Sequence, residues 1–137
     1  MSGQRIELAV EHLPVPKGLR ILKQKLFQRR RIMKKINIFE ANDFSEKGMK
    51  KLLVHDSPYF KILNFNFKAG QELPVHAHDI EGQVSLAVLE GEGEFLGKDG
   101  ATLPAARGDV LICEIAEPHG LRAKTDLRLL VTIAPPI

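Results

Sequence analysis

From Ile36 onward, apolar and polar residues alternate in short runs broken by Gly, Pro, Asn or Asp. Between Phe60 and Lys68, Ile62, Asn64 and Asn66 alternate with Leu63, Phe65 and Phe67. Successive side chains of a strand point to opposite sides, so this period of two predicts a half-buried strand, ended at Gly70. Val84 to Glu90 predicts a second strand, stopped at Gly91-Glu92-Gly93, and Glu94 to Gly97 a third, turned at Lys98-Asp99-Gly100. Asp-Gly is a hairpin signal. Arg107-Gly108-Asp109 makes a further turn, and strands are expected over Val110 to Ile115, Leu121 to Ala123 and Leu127 to Ile133. Turn signals at intervals of about ten residues mark an all-β sandwich or barrel. Phe65, Phe67, Phe95, Leu89 and Leu129 are expected to line or fill it. The one helix expected in this half covers Ser45 to Val54, with Ser45 as cap and Gly48 inside it.

Before Ile36 the pattern changes. Leu19, Leu22, Leu26 and Met33 recur at helical spacing with basic residues between them, the form of a short basic amphipathic helix. Residues 1–35 carry ten Lys or Arg against Glu7 and Glu11, whereas residues 36–137 carry ten basic and fifteen acidic side chains. The net charge of +3 therefore averages two unlike segments. The acidic part would repel a phosphate backbone, so no nucleic-acid partner is expected for residues 36–137. Met33-Lys34-Lys35-Ile36 has the form of an ordinary protein start. The basic N-terminal extension, residues 1–35, thus stands open between a helix, a disordered tail and a start-site artefact.

The composition narrows the class. With 44% apolar and 27% charged residues, a chain of 137 residues is expected to fold as one domain with its own core, over residues 36–137. The longest apolar runs, Leu86 to Leu89 and Val110 to Cys113, fall far short of the roughly 20 residues of a membrane span. A single cysteine, Cys113, can form no intramolecular disulfide, which points to a reducing compartment, the cytoplasm. It reads as a small core hydrophobe. Zinc sites built on cysteine pairs are excluded as well, leaving histidine and oxygen ligands for any metal.

Among five histidines, His76-Ala77-His78 carries the most information. On a strand, both imidazoles would share a face about 7 Å apart and could converge on one ion. Their framing is specific. Five residues separate Gly70 from His76, four separate His78 from Gln83, and Gly91-Glu92-Gly93 follows; Gly108-Asp109 and Pro118-His119 lie further on. This arrangement resembles the cupin superfamily over residues 61–136. The resemblance implies a single-domain double-stranded β-helix, or jelly-roll barrel, holding one divalent metal ion. It implies His76, His78 and His119 as ligands and places Gln83 where most cupins have a glutamate. Three imidazoles and an amide are neutral, so the ion would keep its full charge and act as a strong Lewis acid. Zinc, nickel, iron, manganese, cobalt and copper all suit such donors.

Within the superfamily, the His-x-His-x4-Gln and His spacing resembles the small cupins that open unsaturated uronates in pectin and alginate breakdown. The tail Leu130-Val131-Thr132-Ile133-Ala134-Pro135-Pro136-Ile137 runs parallel to theirs, but Val131, Ile133 and Ile137 replace an aspartate, a phenylalanine and an arginine. The proton carrier and the substrate clamp of those enzymes are absent from these positions. The leading expectation is a protein that acts on or binds a small carboxylate- or carbonyl-bearing molecule, in the manner of sugar-acid isomerases or lyases. A metal-dependent dioxygenase and a non-enzymatic sensing or storage module are the alternatives. Glu114, Glu117 and Arg122 are expected on the solvent face, Tyr59 in a turn, and His12 and His55 outside the motif. No membrane partner is expected, and related small cupins often pair through free strand edges, so a homodimer is.

Overall fold

A computed structural model of the chain describes residues 33–137. The basic amphipathic stretch expected before Met33 lies outside them. One helical turn, α1 (Ile38–Ala41), precedes nine strands: β1 (Lys50–Asp56), β2 (Lys61–Phe67), β3 (Glu72–His76), β4 (Gln83–Glu90), β5 (Glu92–Leu96), β6 (Thr102–Ala106), β7 (Val110–Glu114), β8 (His119–Ala123) and β9 (Leu127–Ala134). They pair antiparallel in two sheets, of order β1-β2-β9-β4-β7 and β3-β8-β5-β6. This is the expected all-β jelly-roll.

Register explains the core. Phe65, Leu129 and Val88 stand opposite one another across β2, β9 and β4, and Leu63, Val131 and Leu86 form the next rung. Opposed residues share a face of the sheet, so six apolar side chains are turned to the barrel interior together. Phe95, Leu121 and Ala123 of the other sheet close on the same cluster. Each such Leu or Phe contributes about 2 kcal/mol by leaving water. Leu89 does not join them: its neighbour Val88 takes the inward position, and the period of two turns Leu89 to the other face. At the expected hairpin, Ala101 N–H donates to Lys98 O at 3.1 Å around Asp99, whose φ of 57° suits the tight turn.

The helix expected over Ser45 to Val54 is instead a turn followed by β1. Lys50 to Asp56 pair with β2 along most of their length, and a strand in a sheet outweighs the weak helical signal of a segment containing Gly48.

Strand β2 is buried on both faces rather than one. The segment 37–45 folds over its outer side, starting from Asn37, whose Oδ1 accepts the Phe39 N–H at 3.0 Å and caps α1. Asn42 Nδ2 donates to Asn64 Oδ1 at 2.7 Å, Asn64 Nδ2 to Asn66 Oδ1 and Leu129 O at 3.0 Å, and Asn66 Nδ2 to Asp43 O at 3.0 Å. Asn64 and Asn66 are wholly buried, and each unmade bond in this chain would cost about 1–3 kcal/mol. Arg128 pins the same flap, its guanidinium lying 4.5 Å from the Phe39 ring and 4.8 Å from that of Phe44.

Candidate metal centre

His76 ends β3 and His119 begins β8, and the two stand opposite each other in the pairing of these strands. Their approach depends on Gly120, where a Cβ would lie 2.5 Å from Leu73 O and 2.9 Å from Val75 N. His78 is past the end of β3, held by its own N–H to Ile115 O at 3.2 Å. The period of two on a strand therefore does not explain its placement, yet the three rings do gather. Ring centroids are 4.5 Å apart for His76 and His119 and 5.5 Å for His76 and His78.

The hydrogen bonds orient two of the rings. His76 Nδ1 lies 2.9 Å from Pro74 O and His119 Nδ1 2.6 Å from Glu117 O. A carbonyl oxygen only accepts, so both Nδ1 atoms carry the proton and both Nε2 atoms keep a lone pair. That is the arrangement a metal-ligating histidine adopts, its second nitrogen fixed by a main-chain acceptor. Among the described residues, none hydrogen-bonds the His78 ring, which is exposed. Among the described residues, no three His, Cys, Asp or Glu side chains are already disposed around one point. The donor set fits a divalent ion; a closed site requires His78 to turn toward the anchored pair.

Gln83 is not brought to the cluster. It starts β4 on the outer face, exposed, with Nε2 3.5 Å from Glu114 Oε1 across to β7. The inward position beside it belongs to Val84, 3% exposed. The cavity holding the histidines has a volume of about 400 Å³. Apart from His76, His78, His119, Lys51 and Lys61 it is lined by apolar side chains, among them Val84, Leu86, Val131, Ile133 and Ile137. The three tail positions that differ from the uronate cupins thus do face the cavity, with hydrocarbon in place of polar groups. The two lysines were not singled out in the sequence, although Lys61 shares the parity of Leu63 and Phe65.

The other candidates take peripheral places. Glu114 and Glu117 are exposed, Glu117 Oε1 accepting the Glu114 N–H at 3.2 Å. Arg122 pairs with Glu72 at 3.3 Å on the surface, a contact of little energetic weight. Tyr59 is exposed in the turn organised by Ser57, and His55 packs against Phe60 with centroids 4.8 Å apart. Burial, then the charges of Glu117 and Glu114, push the Cys113 thiol above its ordinary value, which favours the protonated form.

Burial also holds His119 below the ordinary histidine value of 6.5, with His76 and His78 adding to the effect and the bond to Glu117 O opposing it. Below that value the unfolded chain takes up a proton that folded His119 resists, so stability rises with pH through this window. Metal-free protein should therefore melt at progressively lower temperature as pH falls below 6.5. A His119→Asn variant should decline less steeply; an equal decline would place the effect elsewhere.

A family model described as a cupin domain matches residues 63–133, just over half of the chain. The chain belongs to the cupin family. Among curated proteins it is similar to the L-ectoine synthases of Shouchella clausii, 32% identical over 93 residues, and Halalkalibacterium halodurans, 32% over 88. These matches cover 66% and 63% of this chain, and 67% and 66% of the relatives. Among solved structures, an RmlC-like cupin from Desulfovibrio desulfuricans is 57% identical with a TM-score of 0.75, over 77% of this chain and all of that one. KdgF from Halomonas shares the fold at 20% identity and a TM-score of 0.62, over 74% of this chain and 94% of its own. Among the described residues, no helix is long and apolar enough to cross a membrane.

Proposed function

We propose that this cupin binds one divalent metal ion through His76, His78 and His119 and receives a small carbonyl- or carboxylate-bearing molecule beside it. The observation that carries the reading is the pair of imidazoles whose Nδ1 atoms are bonded to main-chain carbonyls, leaving Nε2 as donor at a cavity otherwise mostly apolar. When bound, the ion would supply Lewis-acid polarisation of a ligand oxygen. Gln83 stays outside the proposed ligand set, which is then three neutral imidazoles with positions left open for the ligand.

The protein's own contribution is positioning and exclusion of water. Apolar walls strengthen any charge interaction made inside them. Among the described residues, no carboxylate, hydroxyl or thiol side chain lines the cavity, so the side chains able to hold or move a proton there are imidazoles and the amines of Lys51 and Lys61. This scarcity favours a second reading, ligand binding without turnover, over the proton shuttling that a sugar-acid isomerase requires. The kinship with proteins named ectoine synthases supports the enzymatic reading of the same pocket.

Cobalt-loaded protein tests the site. Its visible absorption should shift on adding pyruvate, which offers both oxygen types, and the cobalt band should be lost in His76→Ala. A spectrum unaffected by either change would remove the proposed centre.

A further inference from the structure

Two of the three histidines are held by a single turn. His78 donates its main-chain N–H to Ile115 O at 3.2 Å, and the His119 ring donates from Nδ1 to Glu117 O at 2.6 Å. Both acceptors belong to residues 114–117, the turn that leaves β7. Ile115 fixes one side of it, 1% exposed in the core and donating its N–H to Gly82 O at 3.0 Å. Glu117 closes the other side. Its N–H donates to Glu114 O at 3.0 Å, the bond of an ordinary β-turn. Its carboxylate then reaches back, Oε1 accepting the Glu114 N–H at 3.2 Å, so both main-chain groups of Glu114 are bonded to one residue. β7 is the edge of its sheet, and among the described residues no further strand competes for these groups.

We propose that Glu117 is the positioning residue of the metal centre: its carboxylate clips the turn whose carbonyls set His78 and His119. The proposal rests on the three-histidine reading of the site and adds a residue outside the ligand set. Glu117 is exposed and does not line the histidine cavity, so its side chain acts on an ion through the turn and not by contact. It stands behind His119, along a second cavity of about 480 Å³ that also has Cys113 and Pro118 in its wall. A ligating imidazole needs its far nitrogen held in line, because the lone pair on Nε2 points wherever the ring is turned. A slack turn would let Glu117 O swing away from Nδ1 and Ile115 O from the His78 N–H together. The carboxylate contributes as a hydrogen-bond acceptor rather than as a charge, which makes glutamine its working substitute. Glu114 carries the same charge on the same turn, but its side chain faces Gln83 and does not close the turn, so it serves as the control.

Zinc affinity of the full chain, measured by competition with a chromophoric chelator, tests this in Glu117→Ala, Glu117→Gln and Glu114→Gln. Glu117→Ala should bind zinc about 10- to 100-fold more weakly, the usual effect of removing a group that orients a ligating histidine. Glu117→Gln should stay within a few-fold of the parent, and so should Glu114→Gln. Metal-free Glu117→Ala should melt within a few degrees of the parent, since the side chain lost is exposed. In metal-free protein at alkaline pH, imidazole nitrogen NMR shifts should show His119 protonated at Nδ1 in the parent and in Glu117→Gln, and a mixture of tautomers in Glu117→Ala. Unaltered zinc affinity and tautomer in Glu117→Ala would overturn the proposal while leaving the metal reading in place. An equal loss of affinity in Glu117→Gln would overturn it too, by assigning the effect to charge. A collapse in the melting temperature of Glu117→Ala would make the residue structural and overturn it likewise. A parent that takes up no zinc defeats the metal reading itself and, with it, the positioning role.

Discussion

Replacing Val84 by glutamate is expected to tighten metal binding by about 10- to 100-fold while weakening the metal-free protein. Val84 is 3% exposed, lies on the rung of Lys61 and Ile133, and lines the same cavity as the three histidines. A carboxylate there would add an anionic oxygen to three neutral nitrogens and offset part of the ion's charge. Without metal, the same carboxylate would sit in an apolar pocket, at a cost of about 2–4 kcal/mol. Metal addition should therefore raise the melting temperature far more in Val84→Glu than in the parent, since binding to the folded state alone stabilises it. Gln83→Glu is the informative companion. At an exposed outer position it should leave metal affinity unchanged and cost about 0.2–1 kcal/mol of stability from facing Glu114 across to β7; tighter metal binding by that variant instead would reverse the assignment of inward and outward positions.

Gly91→Ala should be the most damaging single methyl addition to the scaffold, costing about 3–4 kcal/mol of stability. Gly91 joins β4 of one sheet to β5 of the other at a φ of +89°, a left-handed conformation that side chains disfavour. A Cβ would also lie 2.1 Å from Asp126 O and 2.9 Å from Leu127 Cα. Those are main-chain atoms, and they cannot swing aside. The neighbouring Glu92 is tied into the same turn, its N–H donating to Thr125 Oγ1 at 2.9 Å and its carbonyl accepting from Lys124 at 2.9 Å. Denaturant titration would read the loss, a large share of the stability of an ordinary domain. A loss below about 1 kcal/mol would mean that the 124–127 turn yields more readily than its bonding implies.

The strands found from the sequence and those missed differ in a physical way. β2, β4 and β9 are inner strands whose alternation matches an inward and an outward face, and their pattern was legible within a residue or two. β1, β3 and β6 were not recognised as strands, and each is the edge of a sheet; the fourth edge, β7, was recognised from its unbroken apolar run Val110 to Cys113. β3 and β6 contain Pro74 and Pro104, which normally argue against a strand because proline lacks the ladder donor; an edge tolerates the loss. β1 is half exposed, so its apolar run Leu52-Leu53-Val54 gave no clean alternation. Asn64 and Asn66 looked like a solvent face because nothing in the local sequence shows that residues 37–45 fold back over them.

The site shows the same division. Histidine identity and spacing singled out His76, His78 and His119, and the structure gathers their rings. The resemblance placed Gln83 at a ligand position, whereas the pairing of β4 turns Gln83 outward and Val84 inward; residues 77–82 form a loop, and parity along a strand does not carry through it. The inward lysines were readable in principle from the parity of β2, but Lys51 needed the pairing of an edge strand that the sequence did not reveal.

The most direct measurement is elemental analysis of the full chain beside a His78→Ala variant, both expressed without added metal and kept from metal-affinity resin. His78 is exposed and its ring makes no hydrogen bond among the described residues, so its loss should spare the fold while removing one of three donors. Near-stoichiometric divalent metal in the parent and little in the variant is the result predicted here. Two empty proteins, with no rise in melting temperature on adding metal to the parent, would contradict the metal centre.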